Sequence, residues 1–364
     1  MPAESLDHDN QAGDFDSLPY LTAEVPGFGG TIKDQPEDFV VEELAAYEPS
    51  GEGEHLFLWV QKRDVSGEGL LRHVSRRLAI SSGDVGAAGV KDRRAITTQW
   101  ISVPARCEAV IGEIETDRIR VLRAARHRNK LRTGHLRGNR FSIRVRDVTP
   151  GAAERADAIA GTISRLGFPN YFGPQRFGHD QQTLRLGLDL IRGNRSPRSI
   201  PPARRRFLLR MSLSAAQSAL FNAVLARRIS DGLLHRVLSG DVMQVVASGG
   251  LFVVFDPAIE QQRFDARETV PTGPMFGPKM FVAGGQAGEV DAAVLAAWNI
   301  QAADFDRFPR LTSGTRRPLL AWPAAFHVSV DADIVQIDFE LSSGTYATSL
   351  LREFMKAPTG DGSA

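Results

Sequence analysis

The chain has 364 residues, 42% hydrophobic and 24% charged, with a formal net charge of +1 and a single cysteine. That length holds two hydrophobic cores, or one domain carrying a large insertion. With no apolar run of about 18 residues, acids in the first thirty residues and Cys107 alone, the composition argues against a membrane span, a secretory leader, an internal disulfide and a thiolate metal cluster, and the expected location is the cytoplasm.

In chain order, residues 1 to 18 are acidic, polar and without periodicity, and are expected to be a disordered tail. Strand-length apolar runs follow at 39 to 41 and 56 to 60. Between 69 and 80, Leu70, Leu71, Val74 and Leu78 recur at helical spacing with Arg72, Arg76 and Arg77 off that face, which predicts an amphipathic helix. Residues 89 to 99 read as a glycine-initiated loop leading into a strand at 100 to 103. Further strands are predicted at 119 to 122 and 141 to 145, the latter with Phe141, Ile143 and Val145 on the core face. A helix is predicted over Ala152–Leu166, and a longer one from Ser212 or Ser214 as N-cap to Gly232 as its stop. Val253-Val254-Phe255 reads as a short strand, Pro271-Thr272-Gly273-Pro274 as loop, and residues 325 to 330 and 334 to 341 as a β-hairpin closed by the three residues Asp331-Ala332-Asp333. These elements make the fold class α/β, in the sense of an α+β mixed sheet.

The stretch Gly89-Val90-Lys91-Asp92-Arg93-Arg94-Ala95-Ile96-Thr97-Thr98-Gln99 sets one carboxylate among three cations, two hydroxyls and an amide. Fixed positive neighbours favour the ionised form of a carboxyl group, so Asp92 has the setting of a nucleophile, or else of an ion-paired turn residue. Nucleotide-cofactor motifs fail on spacing. Gly83, Gly86 and Gly89 lie three apart, and Lys91 lacks the neighbouring Ser or Thr of a phosphate-binding loop. The histidines show no metal-ligand spacing and there is no Gly-x-Ser-x-Gly elbow, so neither cofactor nor metal is expected.

Charge is segregated along the chain. Residues 1 to 54 hold fourteen acids and one base, Lys33, whereas residues 118 to 146 hold eleven Lys or Arg and no acid, and residues 192 to 210 add seven arginines. Clusters of this kind read as nucleic-acid footprints even near zero net charge, against the alternative of a solvated, salt-bridged face.

Five segments carry a family resemblance: residues 33 to 43 (Lys33-Asp34-Gln35-Pro36-Glu37-Asp38-Phe39 onward), 89 to 99, 130 to 141 (Lys130-Leu131-Arg132-Thr133-Gly134 onward), 169 to 178 (Pro169-Asn170-Tyr171-Phe172-Gly173 onward), and Ser343-Gly344-Thr345-Tyr346-Ala347-Thr348-Ser349. Over roughly residues 30 to 355 the chain resembles the TruD family of tRNA pseudouridine synthases. The resemblance implies a cofactor-independent isomerase that converts a uridine of tRNA, position 13 in bacterial members, to pseudouridine; a monomer is the default expectation. The resemblance also implies a catalytic domain of residues 19 to 167 plus 315 to 364, interrupted by an inserted domain at 168 to 314; charge segregation then suggests that the cleft between them, faced by the two basic blocks, holds the tRNA. Asp92 falls on the catalytic aspartate, acting by attack at C1′, attack at uracil C6 or elimination at the ribose, and Lys33 is its expected partner. Phe39, Asn139 and Tyr346 fall on the base pocket, Tyr346 standing where bacterial relatives commonly have Phe. Lys91, Arg93, Lys130, Arg132, Arg137, Gln175 and Arg176 are the expected RNA contacts. From the residues alone, Phe39 also suits a strand core and Asn139 a hairpin turn after Gly138. The competing functional classes are a tRNA-binding protein or RNA chaperone with little or no catalysis, and an RNA base-modifying enzyme of different chemistry.

Overall fold

The computed structural model describes residues 14–89 and 91–356. The N-terminal part contributes β1 (Phe39–Ala45), β2 (His55–Arg63), helix α1 (Gly67–Arg77), β3 (Gly86–Ala87), β4 (Ile96–Pro104), β5 (Ile119–His127), β6 (Leu136–Val145) and α2 (Ala152–Leu166). The middle holds β7 (Phe168–Pro169), α3 (Gln182–Arg192), α4 (Pro202–Ser230), β8 (Val242–Val245), β9 (Leu251–Val253), α5 (Pro257–Asp265), β10 (Thr269–Met275), α6 (Gly285–Ala297) and β11 (Thr315–Pro318). The chain closes with β12 (Leu320–Ala321), β13 (Ala324–Asp331), β14 (Ile334–Ser342) and α7 (Ala347–Met355).

Both chain ends build one mixed sheet in the order β13-β14-β6-β1-β4-β2-β5, with β3 on β4 and, among the described residues, only β1 and β4 parallel. Period-two patterning sets its faces. Phe141, Ile143 and Val145 of β6 and Val335, Ile337, Phe339 and Leu341 of β14 are buried against Ala156, Ile159 and Ile163 of α2 and Leu350, Leu351 and Phe354 of α7. Each of the larger of these side chains, from Val upward, contributes about 2 kcal/mol by leaving water. At the other end Leu56, Leu58 and Val60 of β2 pack on Leu70 and Val74 of α1. A second sheet, β11-β10-β8-β9, packs with α3, α4 and α6 around a separate core. The chain leaves the first sheet at β7 and returns at β12, and these two strands pair with each other.

Several expectations are corrected. Residues 1–13 of the expected tail lie outside the described residues, but residues 14–18 pack: Phe15 and Leu18 are buried beside Tyr171. The long helix starts at Pro202, ten residues before Ser212, because a proline pre-organises the first turn, while Ser212 Oγ bonds back to Leu209 O and Ser214 Oγ accepts from Arg176. Residues 271–274 are strand, not loop. β10 pairs with β8 over Thr269–Pro271 and with β11 over Thr272–Met275, so each half bonds largely on one side and tolerates its proline. The short strand at 253 is β9, ending at Val253, with Phe255 outside it. The hairpin loop has two residues, since Asp331 pairs with Ile334. The expected return to the first domain at 315 falls inside the second sheet, where β11 pairs with β10.

Gly138 and Asn139 are not a turn but lie within β6, between β1 and β14. The glycine is required by close approach: a Cβ there would sit 2.1 Å from the Leu341 carbonyl oxygen. Gly138→Ala must push β14 off β6, and is expected to lower unfolding free energy by about 2 kcal/mol or more, measured by urea denaturation.

Candidate functional site

Asp92 sits on the loop between Gly89 and β4, and backbone bonds tie that loop to its surroundings: Gly67 N–H donates to Lys91 O (3.1 Å) and Asp64 N–H to Ala95 O (3.1 Å). From beneath, Lys62 donates its ammonium to Asp92 O (2.7 Å) and Val65 O (2.6 Å). Lys62 has no exposed surface, and burial pulls its ammonium down to about 8, against the nearby Asp92 carboxylate that favours its charge.

The Asp92 carboxylate accepts from Lys33 Nζ at 2.7 Å. Lys33 reaches it from a left-handed backbone, φ 62°, a strained conformation for lysine of the kind found at functional sites. Its ammonium also lies 4.2 Å from the Phe39 ring centroid. Phe39 is 4% exposed and meets Phe141 edge-on at 6.3 Å, so it is a core residue whose ring lies under Lys33.

Lys91 turns inward, away from the Asp92 carboxylate. Its ammonium donates to Asn139 Oδ1 and lies 3.4 Å from the Glu43 carboxylate, residues that face each other across the β1–β6 ladder. Burial pushes the Glu43 carboxyl up, offset by Lys91, and pulls the Lys91 ammonium down, offset by Glu43. The site therefore holds two carboxylates of different access: the side chain of Asp92 is 44% exposed and that of Glu43 is 1% exposed.

Tyr346, one residue before α7, is partly exposed and 5.7 Å from the Phe172 ring. It is joined to Asn139 through the chain: Leu341 pairs with Asn139, Ser342 with Gly138, and Ser343 N–H donates to Arg137 O. Arg317 braces it from the second sheet. The Arg317 guanidinium lies over Phe172 (4.1 Å), Phe221 (5.4 Å) and Tyr346 (5.6 Å) and donates to Asn170 Oδ1 (2.6 Å) and Gly344 O (2.7 Å), while burial pulls it to about 10. Beside Tyr346, a cavity of about 200 Å³ is lined by Gln175, Arg176, Met211 and Thr348.

The other expected RNA contacts divide. Lys91 is buried, and Lys130 spends its ammonium on Gly83 O. Arg93 is exposed, 3.7 Å from Asp64; Arg132 and Arg137 are exposed and carry no ion pair among the described residues. Arg176 donates to Ser218 Oγ (3.2 Å) and to Ser214 Oγ beside Gln175. The basic stretch is less open in space than in sequence. Arg146 pairs with Asp38, Arg140 with Glu42 and Glu340, Arg123 with Glu48 and Arg128 with Glu52, so the acidic N-terminal segment neutralises it across the sheet.

Lys62, Glu43 and Arg317 are not among the residues singled out by sequence. The first two had a signal. Lys62 continues the inward alternation Leu56, Leu58, Val60, and Glu43 continues Phe39, Val41, so each is a charge at a core-facing position. Arg317 has none, since Phe172 and Phe221, which enclose it, are remote in sequence.

The family model for tRNA pseudouridine synthase D (TruD) matches residues 17–197 and 203–354. The chain is 44% identical over 346 residues to a tRNA pseudouridine synthase D of Anaeromyxobacter dehalogenans, covering 93% of this chain and 97% of the relative. It is 40% identical over 344 residues to one of Thermus thermophilus, covering 94% and 93%. A crystal structure from Methanosarcina mazei, described as TruD, superposes with a TM-score of 0.78 at 27% identity, covering 97% of this chain and 98% of that one.

The buried Lys62 ammonium gives a signed pH dependence. Below pH 8 it is charged in both folded and unfolded chains and its burial cost is constant; between about 8 and its ordinary 10.5 the folded chain binds less proton, so the cost is relieved as pH rises. The unfolding free energy of wild type minus that of Lys62→Met is expected to be flat below pH 8 and to climb by up to about 1.4 kcal/mol per pH unit above it, measured by urea denaturation of both proteins from pH 7 to 10.

Proposed function

The chain belongs to the tRNA pseudouridine synthase D (TruD) family, isomerases of tRNA, and from that premise we propose that it converts uridine 13 of tRNA to pseudouridine with Asp92 as nucleophile. The observation that carries the assignment is the Lys33–Asp92 pair at 2.7 Å. Of the two carboxylates in the site, this one is open to a substrate, while Glu43 is sealed behind Lys91.

The reaction breaks the bond from ribose C1′ to uracil N1, turns the base and joins C1′ to C5; the proton leaves C5 and N1 ends protonated. Nothing is added or removed, so no cofactor is needed. A carboxylate that forms a covalent intermediate splits the exchange into two smaller barriers. Lys33 holds the reacting carboxylate in place, and Lys62 fixes its backbone from behind. Because Lys91 occupies Asn139 Oδ1, the amide of Asn139 is left with its N–H groups to donate to a uracil carbonyl. A uridine inside a folded tRNA must first be extruded, at a cost of a few kcal/mol. Tyr346 supplies a partly exposed ring on which the base stacks. Three lysines against two carboxylates leave the pocket one positive charge in excess, which suits the phosphates flanking that nucleotide. The same reading places a synthase domain in residues 19 to 167 plus 315 to 364 and an insert in 168 to 314; the β7–β12 pairing supports this division, with β11 pairing across its second boundary to β10.

Asp92→Asn is expected to abolish pseudouridine in a tRNA transcript, read as loss of the carbodiimide-adduct stop in primer extension, while tRNA affinity stays within about threefold. A variant that still modifies uridine 13 would remove Asp92 from the chemistry, and a wild-type protein that binds tRNA without producing the stop would leave only a binding protein. Tyr346 makes no side-chain hydrogen bond among the described residues. Tyr346→Phe should therefore keep its turnover, whereas Tyr346→Ala should lose at least tenfold in the same assay.

A further inference from the structure

Helix α4 begins as an exposed, cationic rod. Arg204, Arg206 and Arg210 are exposed and form no ion pair among the described residues, and Phe207 between them is 65% exposed. Single exposed apolar residues are ordinary, and Phe255, more exposed still at 94%, has Asp256 beside it. Phe207 differs because guanidinium groups stand three residues before it, one before it and three after it. Residues 192 to 210 contain no acid that would neutralise them.

The face carrying Phe207 leads toward the candidate site. Met211, one turn on and about 6 Å along the axis, lines the cavity shared by Arg176 and Tyr346. Ser214, another turn on, receives the Arg176 guanidinium. A helix stripe of Phe207, Met211 and Ser214 thus runs from the open end of α4 to the ring on which the target base is proposed to stack.

We propose that this stripe is a stacking platform for an unpaired nucleotide of the RNA substrate, a neighbour of the extruded uridine. Its base lies on Phe207, and Arg204, Arg206 and Arg210 hold the adjoining phosphates. The assignment rests on the RNA-modifying reading above and adds a second base contact outside the pocket. Every base offers a flat face, so such a contact adds affinity with little sequence preference, and guanidinium groups around an aromatic ring are the arrangement that grips a single strand. An acidic protein surface would satisfy the arginines but leave the ring without a flat partner; RNA satisfies both.

The test is fluorescence anisotropy with a full-length tRNA transcript across a salt series. Phe207→Ala is expected to raise Kd roughly 5- to 100-fold without changing the slope of log Kd against log salt, and Phe207→Tyr to stay within twofold of wild type. Arg204→Gln with Arg210→Gln is expected to reduce that slope by about 1.4, two single-strand phosphate contacts. The platform is refuted if Phe207→Ala binds like wild type, or if Phe207→Tyr is as weak as Phe207→Ala. It is kept apart from the isomerase reading by primer extension on the same tRNA. If wild type modifies the tRNA and Phe207→Ala binds unchanged, the platform alone falls; if Phe207→Ala loses affinity and wild type produces no pseudouridine, the platform stands and the isomerase reading falls.

Discussion

A lysine with no exposed surface is the support on which the proposed active site rests. Lys62 lies at the end of β2 with its ammonium on two carbonyl oxygens, one of them the carbonyl of Asp92. Burying a charge is costly unless it is hydrogen-bonded and compensated, and here the compensation is the loop itself. Releasing that loop would strand the ammonium, so the cost of burying Lys62 is converted into a penalty on displacing Asp92. The Asp92 side chain can then be open to a substrate while its backbone is fixed, the combination a reacting group needs. The Lys33 ammonium completes the hold from the outside, and its left-handed backbone is tolerated because both Asp92 and the Phe39 ring face it.

The remaining site residues depend on strand register. β1 lies between β4, which carries the Asp92 loop at its start, and β6, which carries Asn139. In that register Glu43 faces Asn139, and Lys91 from the loop binds both. A slip of one residue would exchange the faces of β1, placing Glu42 in the core and Glu43 outside, and would leave Lys91 a buried charge without its partner. Gly138 protects the same register from the other side by letting β14 approach β6, and the β14 pairing sets where the chain carrying Tyr346 begins. The triad of Glu43, Lys91 and Asn139 therefore couples sheet assembly to placement of the proposed pocket.

What was legible in the sequence follows the range of the physics involved. Alternation on β6, the span of α2 and the placement of Asp92 on a loop before a strand are local and were read correctly, although that strand starts at Ile96, four residues earlier than expected. The Lys33–Asp92 contact spans fifty-nine residues and was signalled by resemblance together with the isolation of Lys33 as the one base among the N-terminal acids. Local reading failed where tertiary context overrode propensity. Ser212, a favoured cap in isolation, lies in the interior of α4, and Pro271 and Pro274 sit in a buried strand because its two halves pair with different neighbours. Charge was misleading for the same reason. Bases at 118 to 146 and acids before residue 54 are separate along the chain, but β1, β5 and β6 share one sheet, and much of the apparent surplus becomes surface ion pairs of small individual worth.

That cancellation changes where an RNA backbone meets the protein. A paired arginine must give up its carboxylate before it serves a phosphate, whereas an unpaired one offers its full charge. Arg132 and Arg137 near the site, and Arg204, Arg206 and Arg210 on α4, are among the exposed arginines of the two basic blocks that answer this description. Between the two sheets, Arg317 joins the second sheet to the Gly344 turn and braces Tyr346. The second sheet therefore contributes a cationic helix, and through Arg317 it also sets the position of a ring in the proposed pocket. The Arg317 guanidinium lies over both Phe221 of α4 and Tyr346, so one side chain ties that helix to the ring of the proposed pocket.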